Sequence, residues 1–157
     1  IFAAASSAVR LCSSVAIGLP SRIIDFPNLK LIVGHGGGYI PYQAGRGRAF
    51  RMNSIQREPD AGWESFDDSM RRLYYDTVLY DGEAMELLLK VVGADRVLFG
   101  TDKPANGSVK DPVTNRVLND VKPLIEQIDW LSDEDKSAIF EGNARKLYSR
   151  LMVSGAV

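Results

Sequence analysis

The sequence is that of an α/β protein built on parallel strands. Two observations predict this. Three short apolar runs, Leu29–Val33, Leu73–Thr77 and Arg96–Gly100, recur along the chain and end at glycine or a polar residue. Segments of helical pattern precede, separate and follow them, and parallel strands need such right-handed crossovers.

The first segment, Ala3 to Ile17, is rich in Ala, Ser and Val and reads as a helix broken by Gly18 and Pro20. Its small and apolar residues superficially resemble a secretory leader. Arg10 interrupts the apolar stretch instead of preceding it, so the segment reads as an interior helix of a longer protein. Ser21 to Asp25 adds one turn, and Pro27 disfavours helix at Phe26. Leu29 to Val33 then reads as a strand buried on both faces, closed by Gly34-His35-Gly36-Gly37-Gly38. Tyr39 to Gln56 reads as a helix with a basic, polar side, followed by a polar loop from Arg57 to Phe66. The second strand is placed at Leu73 to Thr77. Gly82 to Val92 is a helix with an apolar face from Met85, Leu87, Leu88 and Leu89, stopped by Gly93. The third strand, Arg96 to Gly100, leads into Thr101-Asp102. A long loop from Lys103 to Thr114 precedes a helix near Leu118 to Ile128. Ser132 caps the last helix, whose first turn is acidic and whose apolar stripe runs through Ile139, Phe140, Ala144, Leu147 and Tyr148.

Composition excludes some classes of function. Nineteen basic and twenty acidic residues leave a formal charge of −1, which provides no positive field for nucleic acid or a membrane surface. No apolar run approaches the roughly 20 residues that cross a bilayer. The single cysteine, Cys12, forms no internal disulfide, which makes the cytoplasm the expected compartment.

Catalytic groups of parallel-strand folds sit at the C-terminal ends of strands. His35 closes the first strand and Asp102 the third. Asp76, at the end of the second, reads as a structural hydrogen-bonding residue. The triple glycine lacks the spacing of a phosphate loop. Arg46, Arg48 and Arg51 form a candidate anion clamp, although 48 and 51 share a helix face while 46 points elsewhere, so most of the trio reads as solvated surface. At this level an open sheet and the last part of a barrel are equally compatible with the pattern.

The motifs themselves resemble a family. Phe26-Pro27-Asn28-Leu29-Lys30-Leu31-Ile32-Val33-Gly34-His35-Gly36-Gly37-Gly38 is similar to the sixth-strand signature of the aminocarboxymuconate-semialdehyde decarboxylase family, within the amidohydrolase superfamily. Gly45-Arg46, Tyr75-Asp76-Thr77, Val97-Leu98-Phe99-Gly100-Thr101-Asp102 and Glu141 to Tyr148 resemble later motifs of that family, in order. The resemblance spans about residues 22 to 150. It implies an α/β fold that is the C-terminal part, about strands 6–8 with their helices, of a (β/α)₈ TIM barrel. Residues 1–157 would then form a single partial domain whose N-terminal half is absent.

The resemblance also implies chemistry. The family site holds one divalent metal, commonly zinc and in some members manganese. An acid on the eighth strand binds it, which corresponds to Asp102. The glycine-rich turn carries a histidine acting as general acid/base or orienting group, corresponding to His35. An arginine that binds the substrate carboxylate, in some members across a dimer interface, corresponds to Arg46. The expected activity is metal-dependent, non-oxidative decarboxylation of an unsaturated or aromatic carboxylic acid by a homodimer or higher homo-oligomer. Hydration of an unsaturated acid and metal-dependent hydrolysis are alternatives. Residues 101 to 120, with Asp111-Pro112-Val113-Thr114 and Asn119-Asp120, resemble the oxalomesaconate-hydratase branch, whereas the acid there is often Glu in place of Asp102; the two clues oppose each other. The remaining family ligands are histidines or a glutamate on the first and fifth strands. With one histidine, this chain alone does not supply them. An inactive fragment or a non-catalytic binding module is the alternative of a different class.

Overall fold

The computed structural model describes residues 28–148. The expectations for the first helix, Cys12 and the leader-like stretch lie outside these residues. Strand β1 (Leu31–Val33), helix α1 (Ala44–Arg57), helix α2 (Phe66–Arg71), strand β2 (Leu73–Asp76), helix α3 (Gly82–Val92), strand β3 (Val97–Leu98) and helix α4 (Lys122–Glu126) follow in order. Helix α5 (Asp133–Ser137) runs through a π-helical turn (Ala138–Gly142) into α6 (Asn143–Leu147). The strands form one parallel sheet in the order β1-β2-β3, with Leu31 opposite Leu73 and Tyr75 opposite Val97.

Local chemistry explains most boundaries. Asp81 caps α3 by accepting the Ala84 N–H at 2.9 Å, and Gly93 ends it at φ 87°. The end of α3 is where the sequence places it because both signals are local. Ser132 and Asp135 form a reciprocal capping box at α5. Helix α2 is the element that the sequence reading leaves out. It is only six residues long, opened by Ser65 accepting the Asp68 N–H at 3.0 Å.

Several elements are shorter than expected: β1 starts at Leu31 instead of Leu29, α1 at Ala44 instead of Tyr39, and β2 ends at Asp76 instead of Thr77. Helix α4 starts at Lys122 instead of near Leu118, because the Leu118 and Asn119 amides bond to Val109 and Gly107 across a loop. Strand β3 stops at Leu98, because the Phe99 amide donates to the Ile139 carbonyl at 3.0 Å.

The core lies on one face of the sheet. Leu73 and Tyr75 of β2 are buried there against Met85, Leu88, Leu89 and Val92 of α3 and against Ile125, Ile128 and Ile139. On the opposite face Ile32 is 42% exposed in this three-stranded sheet. Among the described residues, no helix is long and apolar enough to cross a membrane.

Arg51 corrects a further expectation. It is 4% exposed and not part of a solvated face. Its guanidinium donates to the Glu64 carbonyl at 2.6 Å and to Ser69 Oγ at 3.1 Å, joining α1 to α2, while burial pulls its pKa down. Arg48 does sit on the surface, paired with Asp67.

Asn143 ties the closing helix to the sheet. Its buried side-chain amide donates to the carbonyls of Ala94 and Val97, both at 2.8 Å. Asn143→Ala leaves two carbonyls without these partners, at about 1–3 kcal/mol for each buried group. A loss of about 2–4 kcal/mol in urea denaturation is the expected outcome; a change below about 1 kcal/mol would show that water replaces the amide.

Candidate active site

The C-terminal ends of the three strands lie along one rim of the sheet, as parallel pairing requires. His35 follows β1, Asp76 ends β2, and Asp102 lies four residues beyond β3. Beta-2 separates the outer two, a backbone spacing of about 10 Å for two strand intervals.

His35 sits on a turn that few sequences adopt. Residues 35 to 38 all have positive φ, at 55°, 59°, 80° and 59°. A β-carbon at Gly36 would lie 2.6–2.8 Å from the Leu79 side chain, and one at Gly37 2.8–2.9 Å from the Tyr75 ring. The glycines are therefore there for backbone conformation and close approach. The turn leaves the imidazole exposed at the rim.

Asp76 holds this turn. Its Oδ1 accepts the Gly36 N–H at 3.0 Å and the Val78 N–H at 3.2 Å. Thr77 performs the corresponding task on the other side: its hydroxyl donates to the Gly100 carbonyl at 2.8 Å and accepts the Gly100 N–H at 2.9 Å. Two residues beyond Gly100 stands Asp102, half-buried, with left-handed backbone at φ 55°. Its Oδ2 accepts a hydrogen bond from the Tyr80 hydroxyl at 3.2 Å. Burial first, and then the charges and bond of Asp102 and the charge of Asp76, push the Tyr80 pKa above its usual value near 10. The phenol is therefore a neutral donor at neutral pH.

Arg46 is not at this rim cluster. It lies exposed on α1, its guanidinium carbon 5.0 Å from the centroid of the Phe50 ring. Together with Tyr39, Gln43 and Phe66 it lines a groove of about 170 Å³.

Among the described residues, no group of three or more His, Cys, Asp or Glu side chains is placed to hold a metal ion. What the rim offers is partial: the Asp102 carboxylate with one oxygen engaged by a phenol, the Asp76 carboxylate with one oxygen engaged by two amides, and one exposed imidazole. That donor chemistry suits a borderline divalent cation, as a contribution to a ligand set and not a whole one.

The amidohydrolase family profile matches residues 20–150. The chain belongs to the amidohydrolase family. It is 35% identical over 128 residues to a 2-keto-4-carboxy-3-hexenedioate hydratase of a Sphingobium species, covering 81% of this chain and 35% of that protein. Over 146 residues it is 27% identical to a 2-amino-3-carboxymuconate-6-semialdehyde decarboxylase of Dictyostelium discoideum, covering 89% of this chain and 36% of the relative. Its structure resembles the crystal structure of a 4-oxalomesaconate hydratase from Rhodopseudomonas palustris, with TM-score 0.74 and 32% identity, covering 88% of this chain and 40% of that one. A 5-carboxyvanillate decarboxylase from Novosphingobium aromaticivorans, in complex with manganese and 4-hydroxy-3-methoxy-5-nitrobenzoic acid, shares the fold at TM-score 0.64 and 20% identity. That match covers 90% of this chain and 38% of the decarboxylase. The chain spans about a third of the length of the curated relatives it matches. The three-stranded sheet is thus part of an amidohydrolase TIM barrel.

The sequence reading missed Thr77 and Tyr80. Thr77 looks like the last residue of a strand. Tyr80 lies in a turn, and its partner is 22 residues away.

Asp76→Ala removes the acceptor for two amides, and each bond to a charged group is worth about 1.5–3 kcal/mol. Hydrogen exchange at the Gly36 amide is expected to accelerate on the order of tenfold or more, with part of the protection restored in Asp76→Asn. Unchanged exchange at Gly36 would show that the turn holds itself.

Proposed function

We propose that these residues are the C-terminal part of a longer (β/α)₈ barrel, a metal-dependent lyase acting on a small unsaturated carboxylic acid, and that its reaction is hydration of a double bond. The observation that carries this reading is the likeness, above 30% identity, to two hydratases. It reverses the order expected from the sequence motifs, which put decarboxylation first. Decarboxylation is the second reading, favoured by the 27% identity to the Dictyostelium enzyme and by an aspartate at position 102.

Asp102 is the metal-binding acid of this reading, and the remaining ligands come from outside the described residues. A divalent cation there supplies charge stabilisation and activates water near neutral pH. Manganese in the decarboxylase neighbour supports a divalent ion; zinc is our expectation for this protein. His35 moves the proton. In hydration, hydroxyl adds to the carbon β to a carbonyl and a proton to the α carbon; in decarboxylation, a proton replaces the departing carboxyl group as carbon dioxide leaves. Both reactions need a proton carrier at the rim, and the exposed imidazole of His35 is free to reach substrate. Arg46 binds a substrate carboxylate by paired hydrogen bonds. Its exposed place on α1 supports delivery into the site of a second copy, in a homodimer or higher homo-oligomer.

Two experiments on the full-length protein decide between the reactions and assign the residues. Incubated with unsaturated di- and tricarboxylic acids, it is expected to bleach the absorbance of the conjugated double bond without releasing carbon dioxide. Stoichiometric carbon dioxide would replace hydration by decarboxylation, and neither signal with any acid would remove the lyase reading. His35→Asn is expected to lower kcat by about 10²–10⁴ with metal content intact. Arg46→Ala is expected to raise KM by about tenfold to a hundredfold. Wild-type kinetics in either variant would withdraw that residue's role.

A further inference from the structure

Tyr80 has no part in the chemistry above, yet the fold holds it in place on three sides. Its backbone is left-handed at φ 59°, a conformation that costs a non-glycine residue energy. The carbonyl of Tyr80 accepts from Arg116 Nη2 at 3.1 Å. Its ring lies against Gly107, where a β-carbon would fall 2.5–2.9 Å from the ring edge and the hydroxyl. The result is a half-buried phenol whose hydroxyl donates to Asp102 Oδ2 at 3.2 Å.

We propose that Tyr80 is the positioning residue for the Asp102 carboxylate: its hydroxyl occupies Oδ2 and so leaves Oδ1 to meet the cation. This rests on the reading of Asp102 as the metal-binding acid. A free carboxylate rotates and offers either oxygen. A donor fixed on one oxygen selects the orientation before the ion arrives, which lowers the ordering cost of binding. Gly107 is the second half of the device. Its backbone is outside the left-handed region, so alanine is conformationally allowed there, and the added methyl would push against the ring.

The test uses the full-length protein, stripped of metal and titrated with zinc or manganese alone. Tyr80→Phe keeps the ring and loses the donor. It is expected to weaken metal affinity about 10–100-fold, to leave the thermal midpoint of the metal-free protein unchanged, and to regain kcat at saturating metal. Gly107→Ala is expected to weaken affinity in the same direction, and the double variant to bind no more weakly than Tyr80→Phe, because the displaced ring then has no donor to lose. Asp102→Ala serves as the reference. Wild-type affinity in Tyr80→Phe beside a weakened Asp102→Ala overturns the proposal alone. An unaffected Asp102→Ala overturns the metal-ligand reading and the tyrosine's role with it. A metal defect matched by a fallen midpoint of the metal-free protein overturns the positioning role in favour of a structural one.

Discussion

The candidate site depends on one dipeptide at the end of the central strand. Asp76 reaches toward β1 and holds the turn of His35; Thr77 reaches toward β3 and holds Gly100, just before Asp102. Parallel strands are joined by long crossovers, so no tight turn fixes the relative height of their ends. The ladder sets the register, and beyond its last pairs side chains bonded to main chain hold the segments that follow the strands. The two residues are consecutive, Asp76 ending the strand and Thr77 just beyond it, so a single step of sequence serves both neighbours.

That arrangement explains which parts of the fold were legible. Helix α3 and the capping box of α5 are written in residues three or four positions apart, and the strand ends in apolar runs closed by glycine. The bonds that align the ends join residues 22 to 40 positions apart, and no local pattern announces them. Arg51 shows the same limit from the other side. Its place among arginines suggests solvent, whereas its partners, Glu64 and Ser69, lie on segments that only folding brings beneath it. Helix α2 escaped because six residues are too few to display a period.

The loop from Lys103 to Asp120 is where reaction type and site geometry meet. It is the stretch that resembles the hydratase branch, and it is well ordered by its own chemistry. Asp111 accepts the amides of Val113 and Thr114, Lys110 pairs with Val117, and Arg116 bonds the carbonyls of Asp120 and Tyr80. Through Tyr80 the loop touches Asp102. Changes in this loop therefore reach the carboxylate through Tyr80, which gives a physical route from loop sequence to the chemistry at the strand ends.

The closing helix occupies the outer edge of β3. Val97 and Phe99 face away from β2, and both spend a main-chain group on that helix: the Val97 carbonyl on Asn143 and the Phe99 amide on Ile139. Two main-chain groups at this edge are therefore satisfied by the helix, so loosening that helix would strip both groups of these partners and the strand and helix would open as one unit.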